Sequence, residues 1–191
     1  MNKIEQMVKE MCPGGVECYP LKDVCTFKRG KTITAAKAMT GDIPVVSGGQ
    51  KPAYYHNESN RQGETITVAG SGAYAGYVMY WNQPIFVSDA FSVEFTNKGN
   101  CTKYLFYYLK RNQDKIFETK KGGGVPHVHP SSIENFTIPL PPLPIQEAIV
   151  EILDKFESLQ QGLQDELQAR KSQYEYYRNK LLTFSTQNYK E

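Results

Sequence analysis

Ile138-Pro139-Leu140-Pro141-Pro142-Leu143-Pro144-Ile145-Gln146 divides this chain into two physically different parts. Proline has no N–H to give to a sheet ladder or a helix interior, and it biases the residue before it toward extended geometry. Four prolines within residues 139–144 therefore predict a stiff connector that holds its two sides apart. No proline follows, and the apolar side chains beyond recur at helical spacing. The expected division is a globular domain over 1–138, a connector over 139–144, a long helix over 145–186 and a short tail over 187–191.

Downstream, Ile145, Ile149, Ile152, Phe156, Leu159, Leu163, Leu167, Arg170, Tyr174, Tyr177, Leu181 and Phe184 follow one another at steps of three or four residues. Such steps place every one of them on a single helical stripe. The doubled step of four across Leu159, Leu163 and Leu167 is a stutter that locally unwinds a left-handed supercoil. A lone helix bearing such a stripe is poorly stable in water and needs a partner. Charge sets the orientation of that partner. Glu147, Glu151, Asp154 and Glu157 lie in the first half and Arg170, Lys171, Arg178 and Lys180 in the second. An antiparallel pair of identical helices sets acid beside base, whereas a parallel pair sets like against like. The expectation is an antiparallel homodimer.

Upstream, Ile4, Met7, Val8 and Met11 mark one face of a short N-terminal helix that Pro13-Gly14-Gly15 ends. From Val16 onward, turn-forming residues separate short β-branched or aromatic runs: Ile43 to Val46, Thr65 to Val68, Tyr77 to Tyr80 and Ile85 to Val87. Ser92 to Thr96 alternates as a half-buried strand does, and Lys103 to Phe117 returns to helical spacing. Gly122-Gly123-Gly124 predicts a flexible or ligand-shaped loop. The expected fold class is α+β, a loop-rich mixed domain followed by one long helix that pairs as an antiparallel coiled coil.

Residues 1–140 hold 16 Lys and Arg against 12 Asp and Glu, and residues 141–191 hold 6 against 8. A mildly basic domain is compatible with a polyanionic ligand. No apolar run is long enough to cross a bilayer and the first residues lack the apolar core of a secretory signal, so a cytoplasmic protein without membrane contact is expected. Cys12, Cys18, Cys25 and Cys101 form no C-x-x-C pair, which predicts mostly buried free thiols and no zinc site.

Gly70-Ser71-Gly72-Ala73-Tyr74-Ala75-Gly76 superficially matches a phosphate loop, but no helix of the right pattern, Walker lysine or ribose-binding acid follows. Its small residues between Tyr74 and Tyr77 suit close approach to nucleic acid better. His127 and His129 lack further metal ligands at usable spacing, and with the isolated His56 they read as polar loop residues. No nucleophile motif or amino-methyltransferase signature is present, so no catalytic residue and no metal are expected. The basic and aromatic loop residues that remain supply what a duplex reader requires: Lys and Arg for phosphates, and polar side chains for base edges.

These runs resemble a family in order. Lys22 to Lys31, Gly41 to Gly49, Ala53-Tyr54-Tyr55, Gly70-Ser71-Gly72 with Gly76-Tyr77-Val78, Phe86 to Phe91, Gly122 to His127 and the proline run before Gln146 resemble the target recognition domain of type I restriction-modification specificity subunits. The resemblance implies a non-catalytic subunit that binds double-stranded DNA and directs methyltransferase subunits to adenine, with restriction subunits joining for cleavage. It binds no cofactor itself; S-adenosylmethionine belongs to the partner methylase. The usual member carries two recognition domains and two antiparallel helices, and this sequence shows one of each. The expectation is a half-sized subunit whose homodimer reads an interrupted palindrome. A fragment completed by a different half subunit, and a coiled-coil interaction module that does not bind DNA, are the alternatives. Candidate base readers are Ser47, Gly48, Gln50, Tyr54, Ser71, Tyr74 and His127, and candidate phosphate contacts are Lys28, Arg29, Lys31, Lys51, Arg61, Lys120 and Lys121.

Overall fold

The structure, a computed structural model, describes residues 3–184. The chain forms two compact units, residues 1–150 and 151–191. In the first, β-branched and aromatic runs build a four-stranded antiparallel sheet ordered β2 (Cys25–Arg29), β8 (Ala90–Phe95), β5 (Glu64–Ala69), β6 (Val78–Asn82). A three-stranded sheet is ordered β4 (Tyr54–His56), β3 (Ile43–Val46), β7 (Phe86–Val87), with β3 and β7 parallel. A two-stranded ribbon joins β1 (Cys18–Pro20) to β9 (Thr137–Pro139). Helices α1 (Lys3–Met11), α2 (Leu21–Val24), α3 (Thr102–Arg111), α4 (Gln113–Glu118), α5 (Pro130–Ile133) and α6 (Leu143–Leu182), with a short 3-10 turn at Ala35–Lys37, complete the described elements. The α+β class holds.

The period-two alternation of β5 and β8 makes the four-stranded sheet a middle layer. Ile66, Val68, Phe91, Val93 and Phe95 point into the main core with Leu105, Leu109 and Ile116 from α3 and α4. The opposite face is smaller and more polar: Ala90 packs with Val46, Ile85 and Val87 of the three-stranded layer, and the Trp81 indole N–H donates to Thr67 Oγ1 at 2.9 Å. The half-buried strand expected at Ser92 to Thr96 is therefore corrected: β8 lies between two strands and both its faces are covered. The helical stretch from Lys103 to Phe117 breaks at Asn112 into α3 and α4. Asn112 Nδ2 there donates to Tyr108 O at 2.8 Å.

The cysteine expectation also changes. Only Cys25 is buried; Cys12 and Cys101 are half-buried and Cys18 is exposed. Burial pushes the Cys25 thiol up to about 12, which keeps it protonated and unreactive. His56, expected on a loop, is buried in β4, where its Nδ1 accepts the Met39 N–H at 3.1 Å and its ring meets Phe86 edge-on.

The proline run does not stand off from the domain. Pro139 belongs to β9, the Leu140 N–H donates to Glu17 O at 2.8 Å, and α6 begins at Leu143 with Pro144 in its first turn. Pro139, Pro142 and Pro144 occupy places that need no N–H: the edge of a two-stranded ribbon or the opening of a helix. The irregular connector thus shrinks to residues 140–142. The helix itself runs from 143 to 182, and the expected residues 185–191 lie outside the described part. At about 1.5 Å per residue it is about 60 Å long.

Two expected seam residues are corrected as well. Ile145 is fully buried in the domain core and Ile149 packs against it, because the first two turns of α6 belong to the domain. The exposed stripe starts at Ile152 and continues through Phe156, Leu159, Leu163, Leu167, Tyr174, Tyr177, Leu181 and, past the helix end, Phe184. Within the second unit, Phe156, Leu159, Leu163 and Leu167 lie side by side as one exposed apolar surface.

Candidate nucleic-acid interface

The parallel strands β3 and β7 end side by side, so the loops that follow them, 47–53 and 88–89, emerge together. The turn after β5 meets them there. The Ser71 hydroxyl donates to the Asp89 carboxylate, and the Gly70 N–H donates to Asp89 O at 3.0 Å. Gly48 lies so close to the Ser71 carbonyl that a Cβ would collide with it, which is why this loop carries a glycine. A fourth segment closes the group: Lys121 and His127 exchange backbone hydrogen bonds at 3.0 and 2.8 Å, His127 bridges to Ser71, and Val128 N–H donates to Gly70 O at 3.0 Å. The triple glycine is thereby the tip of a pinned loop, with Gly122 at φ +110°.

Between these loops lies a cleft of about 250 Å³ whose lining includes Arg29, Gly30, Ser88, Asp89, His127 and His129. The two imidazoles stack with centroids 6.0 Å apart and planes 11° from parallel. No group of three or more His, Cys, Asp or Glu that could hold a metal converges among the described residues. In the Gly70 to Gly76 turn and just beyond it, the N–H groups of Gly72, Ala75, Gly76 and Tyr77 all donate to backbone carbonyls.

The candidate residues separate into groups. Gly48, Ser71 and His127 are in mutual contact or bridging. Tyr74 is exposed on the turn after Ser71, and Lys120 Nζ donates to Ala73 O in that same turn at 3.1 Å. Lys121 is joined to His127, and Arg29 lines the cleft. Ser47 is half-buried and Gln50 and Lys51 are exposed on the 47–53 loop; Lys31 is exposed just beyond β2, its N–H on Val87 O at 2.9 Å. Lys28, on β2, is paired with Glu94, and that hydrogen bond is the main reason the Glu94 carboxyl sits below its usual range.

Two candidates are engaged inside the protein. The Tyr54 hydroxyl donates to Ile33 O at 2.6 Å, and the neighbouring Tyr55, on the opposite face of β4, is 57% exposed. Arg61 points its guanidinium inward: Nε donates to Ser92 Oγ and Nη1 to Asn60 O, each at 2.8 Å, and Nη2 to Lys28 O and Arg29 O, each at 3.1 Å. Four of its five donors are thus taken by internal acceptors. Asn60 beside it mimics a strand, its amide bonding both the N–H and the C=O of Val87. Asp89 and Tyr55 were not singled out from sequence. The signals for them were the Phe86 to Phe91 run and the strict alternation of a strand, which lets one of two adjacent tyrosines face solvent.

Residues 13–169 match the family model described as the type I restriction modification DNA specificity domain. The chain is 32% identical to the type I restriction enzyme MpnII specificity subunit of Mycoplasma pneumoniae, over 88% of this chain and 53% of that protein. The S subunit of a type I restriction-modification system from M. genitalium superimposes with a TM-score of 0.69 at 20% identity, over 86% of this chain and 45% of that one. The HsdS subunit from Thermoanaerobacter tengcongensis gives a TM-score of 0.60 at 17% identity, over 85% and 44%. The chain spans about half the length of each of these proteins. At such identities the two solved structures establish the fold.

Proposed function

Because the chain belongs to the family of type I restriction-modification DNA specificity domains, we propose that it reads one half of a DNA target and directs partner subunits without itself being catalytic. The observation that carries this reading is the convergence of the 47–53, 70–76 and 120–129 loops around the Ser71, Asp89 and His127 contacts. Lys120, Lys121 and Arg29 stand beside these loops as phosphate contacts. Gly48, Gln50, Tyr74 and His127 stand near base edges, and Tyr55 joins them in place of Tyr54. Methyltransferase subunits holding S-adenosylmethionine carry out adenine methylation, and restriction subunits join for cleavage.

The stripe from Ile152 to Leu181 pairs with the same stripe of a second copy, antiparallel, and the resulting two-fold dimer reads an interrupted palindrome. Exposure of this stripe and the acid-to-base polarity of the helix support the pairing. Burying one leucine is worth roughly 1.5–3 kcal/mol, so Leu163→Glu in the stripe should turn a dimer into a monomer by sedimentation.

Sequencing methylated adenines in cells that hold only this chain and methyltransferase subunits tests both levels. An interrupted palindrome supports the homodimer. An asymmetric motif points to a different half subunit as the partner helix, and the absence of any motif overturns the DNA-reading assignment.

A further inference from the structure

The net charge of the domain is carried by one stretch of its sequence. Residues 102–121 hold Lys103, Lys110, Arg111, Lys115, Lys120 and Lys121 against Asp114 and Glu118, while the rest of 1–140 is balanced at ten and ten. Two of these lysines share one flank of α3 and reach over the tyrosines of β6 and the turn before it. Lys103 Nζ stands 5.4 Å from the centroid of the Tyr80 ring, and Lys110 Nζ 4.6 Å from that of Tyr77. The opposite flank of α3 is fixed: the Tyr104 hydroxyl donates to Pro139 O at 2.8 Å and the Tyr108 hydroxyl to Thr137 O at 2.9 Å. The Glu64 carboxylate lies nearby and takes the Tyr80 hydroxyl.

We propose that the Lys103–Lys110 flank of α3 is a second phosphate-backbone contact, extending the loop face along the edge of the four-stranded sheet; this rests on the DNA-reading assignment above. An aromatic ring beneath an ammonium group holds the long stem in one place, so less freedom is lost when a phosphate arrives. The two lysines are seven residues apart, about 10 Å along a helix that rises about 1.5 Å per residue. Three base-pair steps of about 3.4 Å cover the same distance. Continuity favours DNA over an acidic protein surface: Lys120 stands 4.3 Å from the Phe117 centroid and bonds the turn that carries Tyr74, so the basic tract runs into the reading loops.

Salt titration of duplex binding tests this with the wild type, the double variant Lys103→Gln/Lys110→Gln, the double variant Lys103→Arg/Lys110→Arg, and a distant exposed pair, Lys9→Gln/Lys22→Gln. Each lost phosphate contact should lower the slope of log K against log salt by about 0.9. The glutamine pair should therefore flatten it by roughly two units, the arginine pair should restore it, and the distant pair should leave it alone. The methylated motif should stay the same in all four. A wild-type slope retained by the glutamine pair overturns the proposal and leaves the DNA-reading assignment standing. So does an unchanged slope with loss of methyltransferase association, which assigns the flank to a protein partner. A wild type that binds no duplex overturns both.

Discussion

Gln146 is fully buried at the root of α6, and replacing it with leucine should destabilise the domain without leaving a cavity, because the two side chains are of similar volume. Its Oε1 accepts the Cys101 N–H at 3.0 Å, and its Nε2 donates to Pro141 O at 2.8 Å and to Asn100 Oδ1 at 3.0 Å. One side chain thus ties the residue that precedes α3 to the proline run. Leucine offers neither acceptor nor donor, so at least the Cys101 N–H and the Pro141 carbonyl lose their partner. An unsatisfied buried group costs about 1–3 kcal/mol, which makes about 2–6 kcal/mol for the pair. A domain of this size loses roughly 2–4 °C of melting temperature per kcal/mol, so the midpoint should fall by roughly 4–24 °C. Urea unfolding read by circular dichroism gives the same quantity as a shift of the midpoint at constant slope. Gln146→Glu keeps the acceptor, loses both donors and buries a charge; it should be at least as damaging near neutral pH and recover partly in acid, where the protonated carboxyl donates once. A loss below about 0.5 kcal/mol for Gln146→Leu would mean that water or a rearranged loop satisfies the orphaned groups and that Gln146 does not hold the two segments together.

Arg61→Met removes four donors to internal acceptors and should cost about 2–4 kcal/mol in urea unfolding while the salt slope of duplex binding stays unchanged. A slope lower by about one with full stability would return Arg61 to the phosphate contacts. Gly48→Ala places a Cβ against the Ser71 carbonyl and should weaken duplex binding at least about tenfold, whereas Gly124→Ala, at an open position, should be silent; equal effects of the two would remove close packing as the cause. Glu94, held below the usual carboxylate range mainly by Lys28, stabilises the fold above about pH 4.3, and that contribution disappears as the pH falls through its lowered folded value. The midpoint gap between the wild type and Glu94→Gln should therefore be present at about pH 7 and close progressively as the pH is lowered below the usual glutamate range of about 4.3. A gap of the same size throughout would contradict the ion-pair account.

What was legible in the sequence shares one property: it is local. The period of the α6 stripe, the β-branched runs that became β3, β5 and β6, and the turn residues between them depend on neighbours within a few positions. The candidate site was legible only as a set of loops. Ser71, Gly48, His127, Lys120 and Lys121 do gather, but apart from the local Lys121–His127 pairing the contacts that gather them join residues 18 to 56 positions apart. Tyr54 and Tyr55 are indistinguishable by type, and the Ile33 carbonyl, 21 residues away, is what engages the first. Arg61 has the composition of a phosphate contact, yet acceptors from β2 and β8 claim its guanidinium.

The proline run shows the division most plainly. By itself the sequence determined that regular structure changes at residues 139–144 and that one uninterrupted apolar stripe follows, because a missing N–H and a side-chain period act along the chain. Only the tertiary structure decided that those prolines lie against the domain rather than apart from it. The Glu17 carbonyl meets Leu140, β1 pairs with Pro139, and Gln146 and Ile145 sink into the interior. Those partners come from more than a hundred residues earlier or from across the core, and no local pattern encodes which surface a segment will find.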